Sequence, residues 1–154
     1  MDITPLLPVA AIIPHLQARD KKQVLKLLAT HAATLCPLSE KEIFSVLTER
    51  ESIGCTGMGN GVCIPHGRFD SLEAIHIVFA RLDKPIDFGA ADGKKVDLIF
   101  LLLSPASDDT DHLKALATIS KLLRDKSLCK KIRATIDANE LHLLLTTDYS
   151  NLKK

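Results

Sequence analysis

The sequence contains no tryptophan, one tyrosine and only 4% aromatic residues. A platform on which nucleobases stack is built from aromatic side chains, so that kind of site is excluded. An excess of charge is missing as well: 20 lysines and arginines stand against 19 aspartates and glutamates, for a net charge of +1. A nucleic-acid binder would carry a strong basic surplus gathered in a stripe. Long apolar runs are scarce near the N-terminus. The run from Val9 to Ile13 is short, lies between Pro8 and Pro14, and follows Asp2 rather than a basic stretch. It fits neither a signal peptide nor a membrane span. The four cysteines, Cys36, Cys55, Cys63 and Cys129, include no C-x-x-C pair and match no zinc or redox spacing. They read as small buried thiols in a reducing compartment. The expectation is a soluble, cytoplasmic protein with no membrane insertion.

What is present is ordinary for a globular chain: 154 residues, 46% hydrophobic and 25% charged. That length suits one domain over residues 1–154 and lets roughly 68–70% of the unfolded chain's surface be buried, without disulfides or metals. Pro5, Pro8 and Pro14 punctuate an irregular lead-in. From Asp20 the pattern turns helical, with Val24, Leu27, Leu28 and Leu35 on one stripe and Pro37 as the stop. Ser39, with Glu42 three residues on, opens a second helix whose buried side holds Ile43, Phe44, Val46 and Leu47. A short strand is expected at Val62–Ile64, a longer one over Ala74–Leu82, and a central one over Val96–Leu103, whose apolar run suits a strand covered on both faces. Asp87–Gly93 reads as a loop or turn. Helices follow from about Asp111 through Leu113, Leu116, Leu122 and Leu123, from Ser127 to Ile136, and after Asn139 with Leu141, Leu144 and Leu145 inward. Helices before, between and after strands predict an α/β fold, a three-layer α/β/α sandwich around a small mixed β-sheet.

Five of the seven glycines lie between Gly54 and Gly67. No helix survives that density, and a loop feeding the Val62–Ile64 strand is the natural reading. The cluster lacks the Gly-Lys-Ser/Thr of a Walker loop. Pro65 also prevents the helix that a dinucleotide fingerprint requires. Glycine clusters serve turns more often than ligands. This one gains interest because its strand delivers Pro65, His66, Gly67 and Arg68 to a loop mouth. Imidazole suits phosphoryl transfer: with an ordinary pKa of about 6.5 it is largely neutral and nucleophilic near pH 7. Attack on phosphorus gives a phosphoramidate that is itself a donor. Pro65 fixes the backbone, Gly67 leaves room and an open amide, and Arg68 adds positive charge.

His112 is the second candidate, in the first turn of the helix after Pro105, where unpaired N–H groups and the helix dipole favour an anion and a neutral ring. The competing reading is a solvated histidine among Asp108, Asp109 and Asp111. That acidic run lacks the ligand spacing of calcium loops or zinc helices and reads as helix capping. Arg50, just before the glycines, either clamps phosphate or pairs with Glu49 or Glu51. His15, His31, His76 and His142 have no comparable setting and read as structural or surface residues.

Arg50-Glu51 followed by Gly54-Cys55-Thr56-Gly57-Met58-Gly59-Asn60-Gly61-Val62-Cys63-Ile64-Pro65-His66-Gly67 resembles the IIA domains of the mannitol/fructose class of the bacterial phosphotransferase system, and most strongly their nitrogen-regulatory branch. The similarity extends through Lys84-Pro85-Ile86 with Phe88, Val96-Asp97-Leu98-Ile99-Phe100, His112-Leu113 and the helical tail. It implies that His66 is the phosphoryl acceptor, through Nε2, with His112 donating a hydrogen bond to the phosphoryl group and Arg50 stabilising its charge. Gly59, Asn60, Gly61, Gly67 and Arg68 are expected to support the phosphate loop. The resemblance further implies a phosphorylated HPr, or its nitrogen-branch paralogue, as donor, with no cofactor, nucleotide or metal. Its implied partners downstream are regulatory target proteins that bind one or other phosphorylation state or, in a sugar-uptake role, a IIB domain that takes the phosphate. Asp111, directly before His112, departs from the expected less charged residue.

Overall fold

The computed structural model describes residues 1–54 and 57–147. In chain order these form β1 (Ile12–Leu16), α1 (Lys21–Ala33), α2 (Glu40–Ile53), β2 (Gly57–Gly59), β3 (Val62–Cys63), β4 (His66–Phe69), β5 (His76–Ile86), β6 (Val96–Pro105), α3 (Asp109–Leu123), α4 (Lys126–Arg133) and α5 (Ala138–Thr146). The apolar run of β6 lies at the centre of a mixed six-stranded sheet ordered β1-β5-β6-β3-β2, with β4 also on β6. Leu98 through Leu103 are all fully buried, as a strand covered on both faces demands. β5 runs antiparallel to β6, whereas β3 and β4 run parallel to it. The α/β/α sandwich read from the sequence is the observed architecture.

The α-helices begin on side chains that accept from the first turn. Asp20, Ser39, Asp108, Asp125 and Asp137 accept from the backbone N–H of Gln23, Glu42, Asp111, Leu128 and Glu140. Each such cap contributes about 1 kcal/mol by satisfying an orphaned donor. The caps also correct several expected boundaries. α1 stops at Ala33, ahead of Pro37, and leaves Leu35 beyond it. α3 begins at Asp109, buries the row His112, Ala115, Ile119 and Leu123, and leaves Leu113 64% exposed. α4 ends at Arg133, so Ile136 lies outside it and is exposed.

Three strand assignments also change. The N-terminal segment is not irregular throughout, because two 3₁₀ turns lead into β1, an edge strand parallel to β5 in the register Ile12↔Phe79. Pro14 is tolerated there because an edge strand has one row of backbone groups free of the ladder. β5 starts at His76 and continues past Leu82 to Ile86. Gly57–Gly59 is a strand rather than loop, paired antiparallel with β3. The connection is the two-residue turn Asn60-Gly61, both at positive φ (57° and 82°), as a type I′ hairpin requires. Of the cysteines, Cys63 and Cys129 are buried and Cys36 is half-buried. Cys55 lies outside the described residues.

Together β3 and β4 track one edge of β6, from Val62↔Leu98 to Phe69↔Pro105, interrupted only at Ile64-Pro65. Alternation along β4 sends His66 and Arg68 to one face and Gly67 and Phe69 to the other. The second face belongs to α2: a Cβ on Gly67 would lie 2.8 Å from Val46 Cγ1 and 3.2 Å from Phe69. Glycine is therefore required at 67 by close approach of a helix, not by backbone conformation. Gly67→Ala should lower unfolding stability by about 1–3 kcal/mol through overpacking. Adding Val46→Ala should recover part of that loss, read by urea denaturation of the single and double variants.

Candidate functional site

His66 is the first residue of β4 and pairs in register with Leu102, so it opens a strand rather than closing one. Its Nδ1 lies 2.8 Å from the Ile64 carbonyl oxygen. A carbonyl only accepts, so Nδ1 carries the proton and donates. Nε2 is left with its lone pair. The hydrogen bond spans two residues across Pro65, whose fixed φ limits how the chain turns between them. Burial of the ring is partial, which leaves one side open to solvent.

The imidazole of His112 stands beside it, ring centroids 5.7 Å apart and planes tilted by 56°. This residue is buried, only 6% exposed, so the solvated helix-start reading fails. Its backbone N–H donates to the Asp108 carbonyl at 3.4 Å and is not an unpaired donor. On the side chain, Nδ1 lies 2.7 Å from Oγ of Ser104, a fully buried residue near the end of β6. Burial holds the His112 pKa below the ordinary 6.5, helped by the Arg68 guanidinium and by His66, with Asp109 opposing. Asp109, rather than the Asp111 that stands out in sequence, supplies the opposing charge.

Arg68 points to the same face as His66. It donates through Nε to the Pro105 carbonyl at 3.3 Å, through Nη2 to the Ala106 carbonyl at 2.8 Å, and pairs with Asp109 at 2.5 Å. One side chain thus fastens β4 to the junction of β6 and α3. Arg50 lies in the last turn of α2 rather than after it. Its Nη1 donates to the Gly54 carbonyl at 3.1 Å, and among the described residues it pairs with neither Glu49 nor Glu51.

Gly59, Asn60 and Gly61 are placed elsewhere, which corrects the expected phosphate-loop role. The Gly61 carbonyl accepts from Asp97 and Leu98 at the start of β6. His66 pairs with Leu102, five residues further along, a separation of about 16 Å at roughly 3.3 Å per residue. Amides of the turn are out of reach of a group on His66. The other histidines stay structural. His31 and His142 donate from Nε2 to the carbonyls of Ala10 and Leu7. His15 lies 3.8 Å from Asp83, and His76 shares the Gly67 row through Leu103, the face opposite His66.

The site therefore combines an oriented, nucleophilic imidazole with a buried neutral one. Comparison with known proteins is consistent with that chemistry. Residues 5–147 match the family described as "Phosphoenolpyruvate-dependent sugar phosphotransferase system, EIIA 2". The chain belongs to this family. Among EIIA 2 relatives, the nitrogen regulatory protein of Bradyrhizobium diazoefficiens is 50% identical over 145 residues, covering 94% of this chain and 95% of that protein. The crystal structure of nitrogen regulatory protein IIA-Ntr from Neisseria meningitidis superposes with a TM-score of 0.90 at 33% identity, over 94% of this chain and 99% of that one. The fold alone is shared with the IIAMtl protein solved in complex with phosphorylated IIBMtl from Escherichia coli, with a TM-score of 0.78 at 18% identity, over 91% and 98% of the two chains. EIIA 2 membership makes the chain a phosphotransferase-system phosphoryl carrier. No helix among the described residues is long and apolar enough to cross a membrane.

Sequence reading missed Ser104. Its signal is a lone hydroxyl residue at the end of an otherwise apolar strand, one residue before Pro105. The lowered pKa of His112 has a consequence with a definite sign. A group easier to protonate when unfolded leaves the folded state's stability intact above pH 6.5 and subtracts from it as pH falls through the lowered value. NMR titration should place the His112 midpoint below 6.5. His112→Asn should flatten the loss of unfolding free energy between pH 7 and pH 5.

Proposed function

We propose that His66 is the phosphorylated residue of this EIIA 2 carrier and that Nε2 is the accepting atom. The observation that carries the proposal is the hydrogen bond from Nδ1–H to the Ile64 carbonyl, which leaves Nε2 as the only nucleophilic nitrogen of the ring. The donor is a phosphohistidine of HPr or its nitrogen-branch paralogue. Nε2 attacks phosphorus, a new N–P bond forms, and the N–P bond of the donor breaks, returning its electron pair to the donor imidazole. The proton on Nδ1 of His66 stays in place, and the Ile64 carbonyl stabilises the cationic ring that results.

His112 acts as a neutral donor in this scheme. Its Nδ1 accepts from the Ser104 hydroxyl, which leaves Nε2–H for a phosphoryl oxygen. Gly67 gives α2 its close seat against β4, and Arg68 holds the start of α3 while adding positive potential. Arg50 stabilises charge; Nη1 donates to Gly54, and Nε and Nη2, which have no partner among the described residues, serve phosphate oxygens. Transfer is then alignment plus electrostatics, as for phosphoryl transfer in general.

The physiological reading is a cytoplasmic nitrogen-branch regulator whose phosphorylation state selects its targets, supported by 50% identity to a nitrogen regulatory protein across most of both chains. The second reading is a sugar-uptake component passing phosphate to a IIB domain, supported by the fold shared with the IIAMtl of the IIAMtl–IIBMtl complex. Incubation with the general phosphotransferase enzyme, HPr and phosphoenolpyruvate, followed by mapping of the acid-labile label, tests the chemistry. His66→Ala should abolish labelling, and undiminished labelling of that variant refutes the assignment. His112→Ala should keep the acceptor but slow transfer about 10- to 100-fold, the scale of one lost transition-state donor. Chasing the label onto a IIB domain separates the two roles.

A further inference from the structure

The far end of the sheet holds a cavity of about 420 Å³ that the phosphoryl site does not use. Asn60 and Gly61 of the hairpin turn, Lys94 and Lys95 ahead of β6, and Leu123, Arg124, Lys126, Cys129 and Arg133 of the α3–α4 corner line it, together with Asp97. Five cations and one carboxylate thus face one concavity, in a chain whose total net charge is only +1.

The carboxylates around the cavity are already committed. Asp97 is held by Nε of Arg133 at 2.9 Å. Asp92 accepts from the backbone N–H groups of Asn60 and Lys94, and Asp125 caps α4 through Leu128. Among the described residues Lys95, Arg124 and Lys126 have no carboxylate within ion-pair distance, and Arg133 keeps Nη1 unbonded after Nη2 has donated to the Asn60 carbonyl. Such crowding of like charges, offset in the lining by Asp97 alone, is unfavourable without a further anion. The cavity falls within the roughly 300–1,000 Å³ of small-molecule sites. Its lining contains no aromatic ring, so it offers neither a stacking surface for a base nor the anchor pocket on which a protein interface concentrates its energy.

We infer that this cavity is a second anion site, built for a small ligand carrying two or more linked phosphate groups. Lys95 and Lys126 neutralise the outer phosphates, and Arg133, fixed by Asp97 and the Asn60 carbonyl, presents its free nitrogen at the floor. The site lies about 16 Å along the sheet from His66, so it is independent of phosphoryl acceptance.

Inorganic tripolyphosphate titrated into the isotopically labelled full chain at 0.15 M salt tests the site, with orthophosphate and a poly-glutamate peptide as comparisons. Saturable amide shifts are expected at Asn60, Gly61, Lys94–Asp97 and the α3–α4 corner, with tripolyphosphate at least tenfold tighter than orthophosphate. Lys95→Gln with Lys126→Gln, both exposed and outside the core, should weaken binding at least tenfold while leaving phosphorylation of His66 unchanged. His66→Ala should leave tripolyphosphate affinity unchanged. Absence of saturation, shifts centred on His66, equal affinity for orthophosphate, or binding of the acidic peptide alone would each overturn the inference. Because the test reads binding on unphosphorylated protein, its failure leaves the carrier role of His66 untouched.

Discussion

The pairing of the Val62–Phe69 segment with β6 sets everything else at the candidate site. Parallel register places His66 opposite Leu102 and Arg68 opposite Ser104, so two functional side chains emerge on one face two residues apart. β6 then ends at Pro105, and the chain turns directly into α3. His112 is thereby returned to the strand it has just left, over Ser104 and beside His66. A one-residue slip of β4 would send His66 into α2 and Gly67 toward His112. The close approach of Val46 to Gly67 blocks that slip, because no larger side chain fits there. A core contact on one face therefore secures the chemistry on the other.

Two imidazoles side by side would repel if both were charged, and their surroundings separate their roles. His66 is half-exposed and its proton is fixed by a carbonyl. His112 is buried, with a hydroxyl that either donates or accepts. The carbonyl specifies a tautomer for His66, whereas the hydroxyl accommodates either tautomer of His112. Burial and the Arg68 charge bias His112 toward the neutral form, the form that the proposed hydrogen bond to a phosphoryl oxygen requires. Arg68 donates through Nε and Nη2 to the Pro105 and Ala106 carbonyls, so its charge is delivered by a side chain that also fixes the backbone.

Much of this was legible in the sequence because local rules and global fold agree there. The apolar run of β6 can only be a central strand, and the Ser39 cap announces α2. His66 announces itself through its neighbours Pro65 and Gly67. The errors fall where distant residues decide. β1 exists because β5 offers an edge more than sixty residues away, a partner invisible to periodicity. Ser104 looks like the end of a strand until α3 folds His112 onto it. Leu113 points outward because the cap at Asp108 sets the phase of α3 and gives the inner position to His112. Asn60-Gly61 is a different case: the hairpin dipeptide was visible, but the surrounding glycines suggested a phosphate loop.

The position of that turn explains why a glycine-rich segment adjoining His66 cannot itself reach a group carried on that ring. Phosphate-cradling loops place glycine amides at a helix N-terminus. Here the glycines precede a strand, and a strand carries its end residues apart by about 3.3 Å per step. Every residue from Val62 onward moves His66 further from the turn. What the turn contributes is register. Its Gly61 carbonyl accepts from Asp97 and Leu98, and Arg133 locks the Asn60 carbonyl while bound to Asp97. This fixes the start of β3 against the start of β6, and the parallel ladder carries that alignment to Leu102 and His66. The glycines thus act on the position of His66 through the strand they anchor.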